Sequence, residues 1–151
     1  MLEAAHQYTV ELDKFLIIVV GDGCSPRTGA VFAYLTKAKV VSVDPQFNLS
    51  HWQEHVDKQS GMGFPIQRLR IIRDCVAKTS IDCGGSPVLV VWPHSHANMN
   101  ECNPVNCGPR TDISMPCCVD IPKNWMMRLH MTYEDGYVES PKRTIHIWTP
   151  E

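Results

Sequence analysis

The 151-residue chain lacks several features that mark special classes of protein. No apolar run approaches ~20 residues, so no membrane-spanning helix is predicted. The first residues lack the basic start and apolar core of a secretion signal, and the seven cysteines include no C-x-x-C pair. We therefore expect free thiols in a reducing compartment, the cytoplasm. A net charge of −2 gives no overall attraction to nucleic acid or to an anionic membrane.

The bulk composition is that of an ordinary globular protein, with 44% hydrophobic and 20% charged residues. The length fits a single domain over residues 1–151. One long pattern stands out near the start of the chain. It predicts a buried strand, a tight turn, a helix and a second strand that ends in an acidic residue: 15–20, 21–26, 27–38, 40–43 and Asp44.

The residues of this pattern have a chemical logic. Gly21 and Gly23 allow the backbone to approach a ligand closely. Ser25 is a good helix N-cap and Pro26 a good first helical residue, so free N–H groups would point over the turn. Asp44, at the tip of the second strand, suits the two ribose hydroxyls of an adenosine. A plain strand–helix–strand unit with a capped helix is the alternative.

The run Gly21-Asp22-Gly23-Cys24-Ser25-Pro26-Arg27-Thr28, followed by Ser42-Val43-Asp44-Pro45, resembles the first motif of the class I S-adenosylmethionine (SAM)-dependent methyltransferases. The usual motif is acid-x-Gly-x-Gly-x-Gly, whereas Val19 takes the acidic position here and Ser25 the third glycine. A nicotinamide site is disfavoured because G-x-G-x-x-G would need a glycine at Pro26, and Gly29 comes too late. The resemblance implies SAM as cofactor. Its contacts would be Gly21, Asp22, Gly23, Cys24, Ser25, Arg27, Thr28, Asp44, Pro45, Asp74, Cys75 and Pro93.

The rest of the chain fits the same fold. We expect a helix over 49–58, strands over 68–72, 86–91 and 113–119, and a hairpin of 126–133 with 144–149. Asp74 follows the third strand, where the resemblance implies a contact with the adenine amino group. The predicted fold is α/β: a compact, Rossmann-like, mostly parallel sheet with a C-terminal antiparallel hairpin, as in class I methyltransferases. The carboxyl ends of the first four strands would converge on one crevice.

A second group of residues follows the fourth and fifth strands. The segments 93–98 and 115–119 resemble paired motifs of methyltransferase-like proteins, including RNA-modifying ones. His94 or His96 would act as a general base near the methyl acceptor, since histidine titrates near neutrality. A zinc site and simple packing of these side chains are the other two interpretations. The spacings of the histidines and cysteines differ from those of the usual zinc knuckles. The zinc candidates are His94, His96, Cys102, Cys107, Cys117 and Cys118.

The leading hypothesis is therefore a SAM-dependent methyltransferase whose acceptor is unknown, with RNA preferred through the second resemblance. The alternative is a catalytically inactive methyltransferase-like scaffold that binds a protein partner or forms a homodimer. A basic strip, Arg68, Arg70 and Arg73, either contacts phosphates or is a solvated face.

Overall fold

A computed structural model describes residues 1–58, 68–93, 104–105, 109–115, 121–133 and 143–151. Within them lie three α-helices: α1 (Leu2–Tyr8), α2 (Arg27–Leu35) and α3 (Leu49–Lys58). The strands are β1 (Leu16–Val20), β2 (Lys39–Val43), β3 (Leu69–Ile72), β4 (Val88–Trp92), β5 (Arg110–Ser114), β6 (Trp125–Tyr133) and β7 (Arg143–Pro150).

The seven strands form one sheet in the order β3-β2-β1-β4-β5-β7-β6. The first five are parallel, and β7 pairs antiparallel with both β5 and β6. The predicted parallel sheet with a terminal hairpin is confirmed. The strand order reverses between β1 and β4, and in open α/β sheets ligands bind at the carboxyl ends of strands around such a reversal.

The central strands are apolar throughout because both of their faces are covered. Every residue of β1 and β4 is buried. All three helices pack on one face, through residues such as Ala5, Phe32 and Trp52. The other face is covered, among the described residues, by segments outside the α-helices that include Val76, Ile81 and Val105.

The fifth strand begins three residues before the predicted start, at Arg110 and not Ile113, and it ends at Ser114. Hydrophobicity did not predict this strand start because the first residues of the strand are polar. The carboxylate of Asp112 is fully buried and accepts bonds from Arg110 Nε at 2.7 Å and Nη2 at 2.8 Å. The Trp92 indole N–H also donates to Asp112, at 2.9 Å. Burial raises the pKa of Asp112, and the Arg110 charge opposes that shift.

The hairpin strands alternate as predicted. Ile145 and Ile147 are buried, while His146 and Trp148 are half-buried on the opposite face. A bulge interrupts the β6–β7 pairing between Met127 and Leu129.

Contrary to what the sequence had led us to expect, the described cysteines are not all free thiols. Cys24 and Cys75 are free and exposed, but Cys83 is disulfide-bonded. The expectation is therefore wrong for Cys83, and the argument for a reducing compartment loses its support. Among the described helices, none has the length and apolar character needed to cross a bilayer.

Candidate functional site

The sheet brings the predicted cofactor residues to one edge. The segments 21–28, 44–45, 74–75 and Pro93 follow the carboxyl ends of β1, β2, β3 and β4, which are four neighbouring strands. His94 and His96, the predicted general bases, lie outside the described residues. So do the zinc candidates Cys102, Cys107, Cys117 and Cys118. In the segments that are described, no three His, Cys, Asp or Glu side chains are grouped to hold a metal ion.

The turn after β1 requires its glycines. Gly21 and Gly23 have φ values of 75° and 84°, a region that other residues rarely adopt. The Gly21 N–H donates to the Val43 carbonyl at 2.9 Å, and the Gly23 N–H donates to Asp44 Oδ2 at 2.7 Å. The turn is thereby fixed against the tip of β2.

Asp44 is held in place and keeps acceptor capacity. Its Oδ2 accepts from Gly23, and its Oδ1 accepts from the Gln46 N–H at 2.7 Å. A carboxylate offers about four lone-pair sites, so about two remain for hydroxyl donors. The side chain is half-buried, so a ligand can reach it.

Asp22 binds the protein's own helix. Its Oδ1 accepts from the Thr28 N–H at 2.9 Å, and its Oδ2 accepts from the Gly29 N–H at 2.8 Å and the Ser42 hydroxyl at 2.9 Å. The prediction that the α2 N-terminus presents free N–H groups is wrong for these two amides. Burial raises the pKa of Asp22, and the three donors partly offset that shift.

The predicted helix start at Arg27 is confirmed, but the predicted roles of Ser25 as N-cap and Pro26 as first helical residue are wrong. Pro26 occupies the N-cap position and Arg27 is the first helical residue, without a cap from Ser25. Ser25 does not cap the helix because the carboxylate of Asp22, which lies further away in sequence, already accepts the N–H groups of the first turn that a serine N-cap would otherwise bind.

Gly29 is a residue whose role sequence reasoning missed. A Cβ placed there would lie 2.0 Å from Ser42 Oγ, 3.0 Å from Asp22 Oδ2 and 3.1 Å from Leu69 Cδ1. The glycine thus lets α2 pack closely on β2 and β3. A nicotinamide motif assigns this task to its third glycine; here the same task falls one helical turn later.

The remaining loop residues line the same edge. The Cys24 carbonyl accepts from the Asn48 N–H at 2.9 Å, and Cys24 Sγ lies 4.0 Å from His51 Nδ1. Cys24, Arg27 and Pro45 are exposed, whereas Ser25 and Thr28 are half-buried. The turn is therefore joined both to β2 and to the start of α3.

Asp74 and Cys75 lie beside the β2 tip. The Asp44 N–H donates to the Ile72 carbonyl at 3.1 Å, which ties the two tips together. Asp74 is exposed, and its Oδ1 accepts the Cys75 N–H at 2.7 Å. Within the described segments its second oxygen has no recorded donor, so it can accept from a group such as an amino group. Pro93 follows β4 and is buried.

Two histidines of the hairpin also reach this level of the sheet. The strand register aligns Trp92, Ser114, His146 and His130 across β4, β5, β7 and β6. The two imidazole centroids are 4.9 Å apart. Partial burial and the neighbouring His130 lower the pKa of His146. No local sequence signal identifies this row, because it depends on which strands become neighbours.

A cavity of about 580 Å³ lies elsewhere, between α1 and the C-terminal end of α2. Its lining includes Leu2, Val10 and Leu35. The glycine turn is at the other end of α2, so this cavity is not part of the candidate cofactor site.

Comparison with known proteins supports the fold. No family model and no curated protein matches the chain. Among solved structures, a variant of MtNAS in complex with S-adenosylmethionine is 12% identical with a TM-score of 0.58, over 99% of this chain and 60% of that chain. The chain thus spans about 60% of the length of that protein.

Two further structures were solved with S-adenosyl-L-homocysteine (SAH). An RNA methyltransferase from Salinibacter ruber is 11% identical with a TM-score of 0.58, over 99% of this chain and 89% of that chain. The magnesium protoporphyrin IX methyltransferase from Synechocystis PCC 6803 is 9% identical with a TM-score of 0.60, over 99% and 80%. The chain therefore has the class I methyltransferase fold.

Proposed function

We propose that this chain binds SAM at the carboxyl edge of its sheet and transfers the methyl group to an acceptor, with RNA as the preferred acceptor class. One observation carries the proposal: the Asp44 carboxylate is fixed beside the glycine turn by the Gly23 N–H, and its bonds to the described residues leave lone pairs unused. The similar structures that contain SAM or SAH support the same cofactor.

The residues at this edge fit the two polar ends of an adenosine. Ribose hydroxyls are donors and Asp44 is an acceptor, while Asp74 offers an acceptor at the neighbouring tip for the adenine amino group. Bound there, SAM supplies a methyl group activated by its sulfonium. Transfer mainly requires in-line positioning of the acceptor. His94 and His96 remain sequence-based candidates for the general base that removes a proton from the methyl acceptor. Pro93 would precede them at the β4 tip.

A second candidate function is a catalytically inactive scaffold that binds a partner. Two observations favour it. Val19, which takes the place of the motif's acid, is a fully buried apolar residue of β1. Asp22, the nearest acid in sequence, uses its carboxylate for three internal bonds. Neither residue offers a charge to the methionine end of a cofactor.

Calorimetric titration of the protein with SAM, SAH and NAD separates these functions. A ligand at ~100 times its Kd adds about 2.7 kcal/mol to the stability of the folded state. For a domain of this size that raises Tm by about 5–10 °C. We expect SAM and SAH to bind and NAD not to bind. No heat and no Tm shift with SAM or SAH would favour the scaffold.

The ribose assignment is tested by Asp44→Asn, which removes the charge that accepts the hydroxyls. A hydrogen bond to a charged group contributes about 1.5–3 kcal/mol, so SAM affinity should fall about tenfold or more. Asp82→Asn is the control, because Asp82 lies outside the candidate cofactor site and its carboxylate likewise accepts a backbone N–H, that of Gly84 at 2.9 Å. Equal SAM affinity in the two variants would reject the role of Asp44.

A further inference from the structure

The edge of the sheet opposite the candidate cofactor site carries a basic surface. Two adjoining cavities of about 440 and 390 Å³ lie at the amino ends of β1, β2 and β3 and share Leu16, Lys39 and Asp82. Exposed cations line them: Lys14, Lys37, Lys39, Arg68 and Arg70. We call these residues the amino-edge surface.

Strand pairing assembles this surface from separate parts of the chain. Lys39 pairs with Leu16 at the start of β2, and Arg70 pairs with Val41 on β3. Because side chains alternate along a strand, Lys39 and Val41 share one face, and Arg70 lies on it too. Of the three arginines in the basic strip, Arg68 and Arg70 lie at this edge, whereas Arg73 lies beyond the opposite end of β3.

Among the described residues, most of these charges have no ion-pair partner. Lys14 pairs with Glu11. In the parts of the chain that are described, Lys37, Lys39, Arg68 and Arg70 form no ion pair. The Arg68 guanidinium is oriented by the Thr36 carbonyl, to which it donates at 2.8 Å.

Two carboxylates share the surface, but both are used by the backbone. Asp13 accepts from the Lys37 N–H at 2.8 Å, and Asp82 accepts from the Gly84 N–H at 2.9 Å. Counted over the described residues, Lys37, Lys39, Arg68 and Arg70 against Asp13 and Asp82 leave a local charge of about +2, whereas the whole chain carries −2. The surface is thus a positive region on a negative protein, which favours a polyanion at this place.

We propose that the amino-edge surface binds the phosphodiester backbone of a single-stranded nucleic acid. The concave surface accepts a chain of phosphates, whereas a membrane presents a broad flat surface. Nucleic-acid binding is inferred from the charge and the shape of this surface alone. The inference rests on the proposed function in one respect, namely that the bound nucleic acid would be the methyl acceptor. A five-residue β-strand is about 16 Å long. A nucleic acid of several nucleotides can therefore reach from this surface to the opposite edge of the sheet.

The test compares two double variants that lose the same charge. Lys37→Gln/Lys39→Gln changes the amino-edge surface, and Lys78→Gln/Lys123→Gln changes two exposed lysines outside it. The probe is a labelled single-stranded RNA of about 20 nucleotides, with DNA of the same sequence beside it. Binding is followed by fluorescence anisotropy, without SAM, from about 50 to 200 mM salt.

Loss of two phosphate contacts should reduce the slope of log K against log salt by about 1.4, and affinity at ~0.1 M salt should fall about 25-fold. The control pair should keep the wild-type slope. RNA and DNA should respond alike, because phosphate contacts carry no sequence information. Unfolding midpoints close to that of the wild type ensure that the fold is unchanged.

Three results would overturn the proposal. The first is that the wild type binds neither the RNA nor the DNA probe. The second is that both double variants weaken binding equally. The third is that Lys37→Gln/Lys39→Gln abolishes binding to phosphatidylserine vesicles while RNA binding stays unchanged. SAM titration of the same proteins keeps the two proposals distinct. If SAM fails to bind while the RNA result holds, only the methyltransferase proposal fails.

Discussion

Replacement of Gly29 by alanine tests how closely α2 packs on the sheet. The new methyl group would lie 2.0 Å from Ser42 Oγ, which real structures essentially never show. The serine hydroxyl must therefore move away from Asp22 Oδ2, its acceptor at 2.9 Å. The neighbouring contact at 3.1 Å from Leu69 Cδ1 limits where the helix can shift.

Opposing terms decide the sign of the change. Alanine in a helix is favoured over glycine by about 1 kcal/mol. Overpacking of a well-packed site costs about 1–3 kcal/mol, and the lost bond to a half-buried carboxylate costs about 1–2 kcal/mol more. We expect a net loss of about 1–4 kcal/mol in the free energy of unfolding. For this size of domain, Tm would fall by about 2–16 °C.

Urea unfolding of a double-mutant cycle provides the assay. Ser42→Ala removes the atom that clashes most with the new methyl group, so Gly29→Ala should cost less in the Ser42→Ala background than in the wild type. The expected coupling is about 1 kcal/mol or more. A stabilising Gly29→Ala, or equal costs in both backgrounds, would refute the packing argument.

Three further substitutions have defined outcomes in thermal unfolding. Asp22→Asn should cost about 1–2 kcal/mol because it weakens the α2 cap, whereas Ser25→Ala should stay within about 0.5 kcal/mol; the reverse order would restore the serine cap. Arg110→Gln leaves the buried Asp112 without its cationic partner and should cost about 3–5 kcal/mol, and a Tm change below ~2 °C would contradict this. The lowered pKa of His146 means that folding loses stability as pH falls below the ordinary histidine value of about 6.5, so Tm of His146→Gln relative to wild type should rise between about pH 7.5 and 5.5. A difference that does not change with pH would exclude His146 as the source.

The sequence predicted the elements that depend on local patterns. The helix over 49–58 agrees with α3, and the hairpin strands agree within one residue. The fifth strand was misplaced because its polar start, Arg110 and Asp112, is buried through mutual pairing, which hydropathy does not reveal. The predicted cofactor residues do share one edge, but their role in binding remains a prediction.

The amino-acid sequence by itself determined the class of fold, the turn that needs Gly21 and Gly23, and the acid at the end of the second strand. These features follow from periodicity and backbone preferences within short segments. Only the tertiary structure assigned Asp22 to the helix cap, gave Gly29 its packing role and gathered Lys37, Lys39 and Arg70 on one surface. Each of these depends on strand order and register, because contacts between distant segments form only when the sheet is assembled.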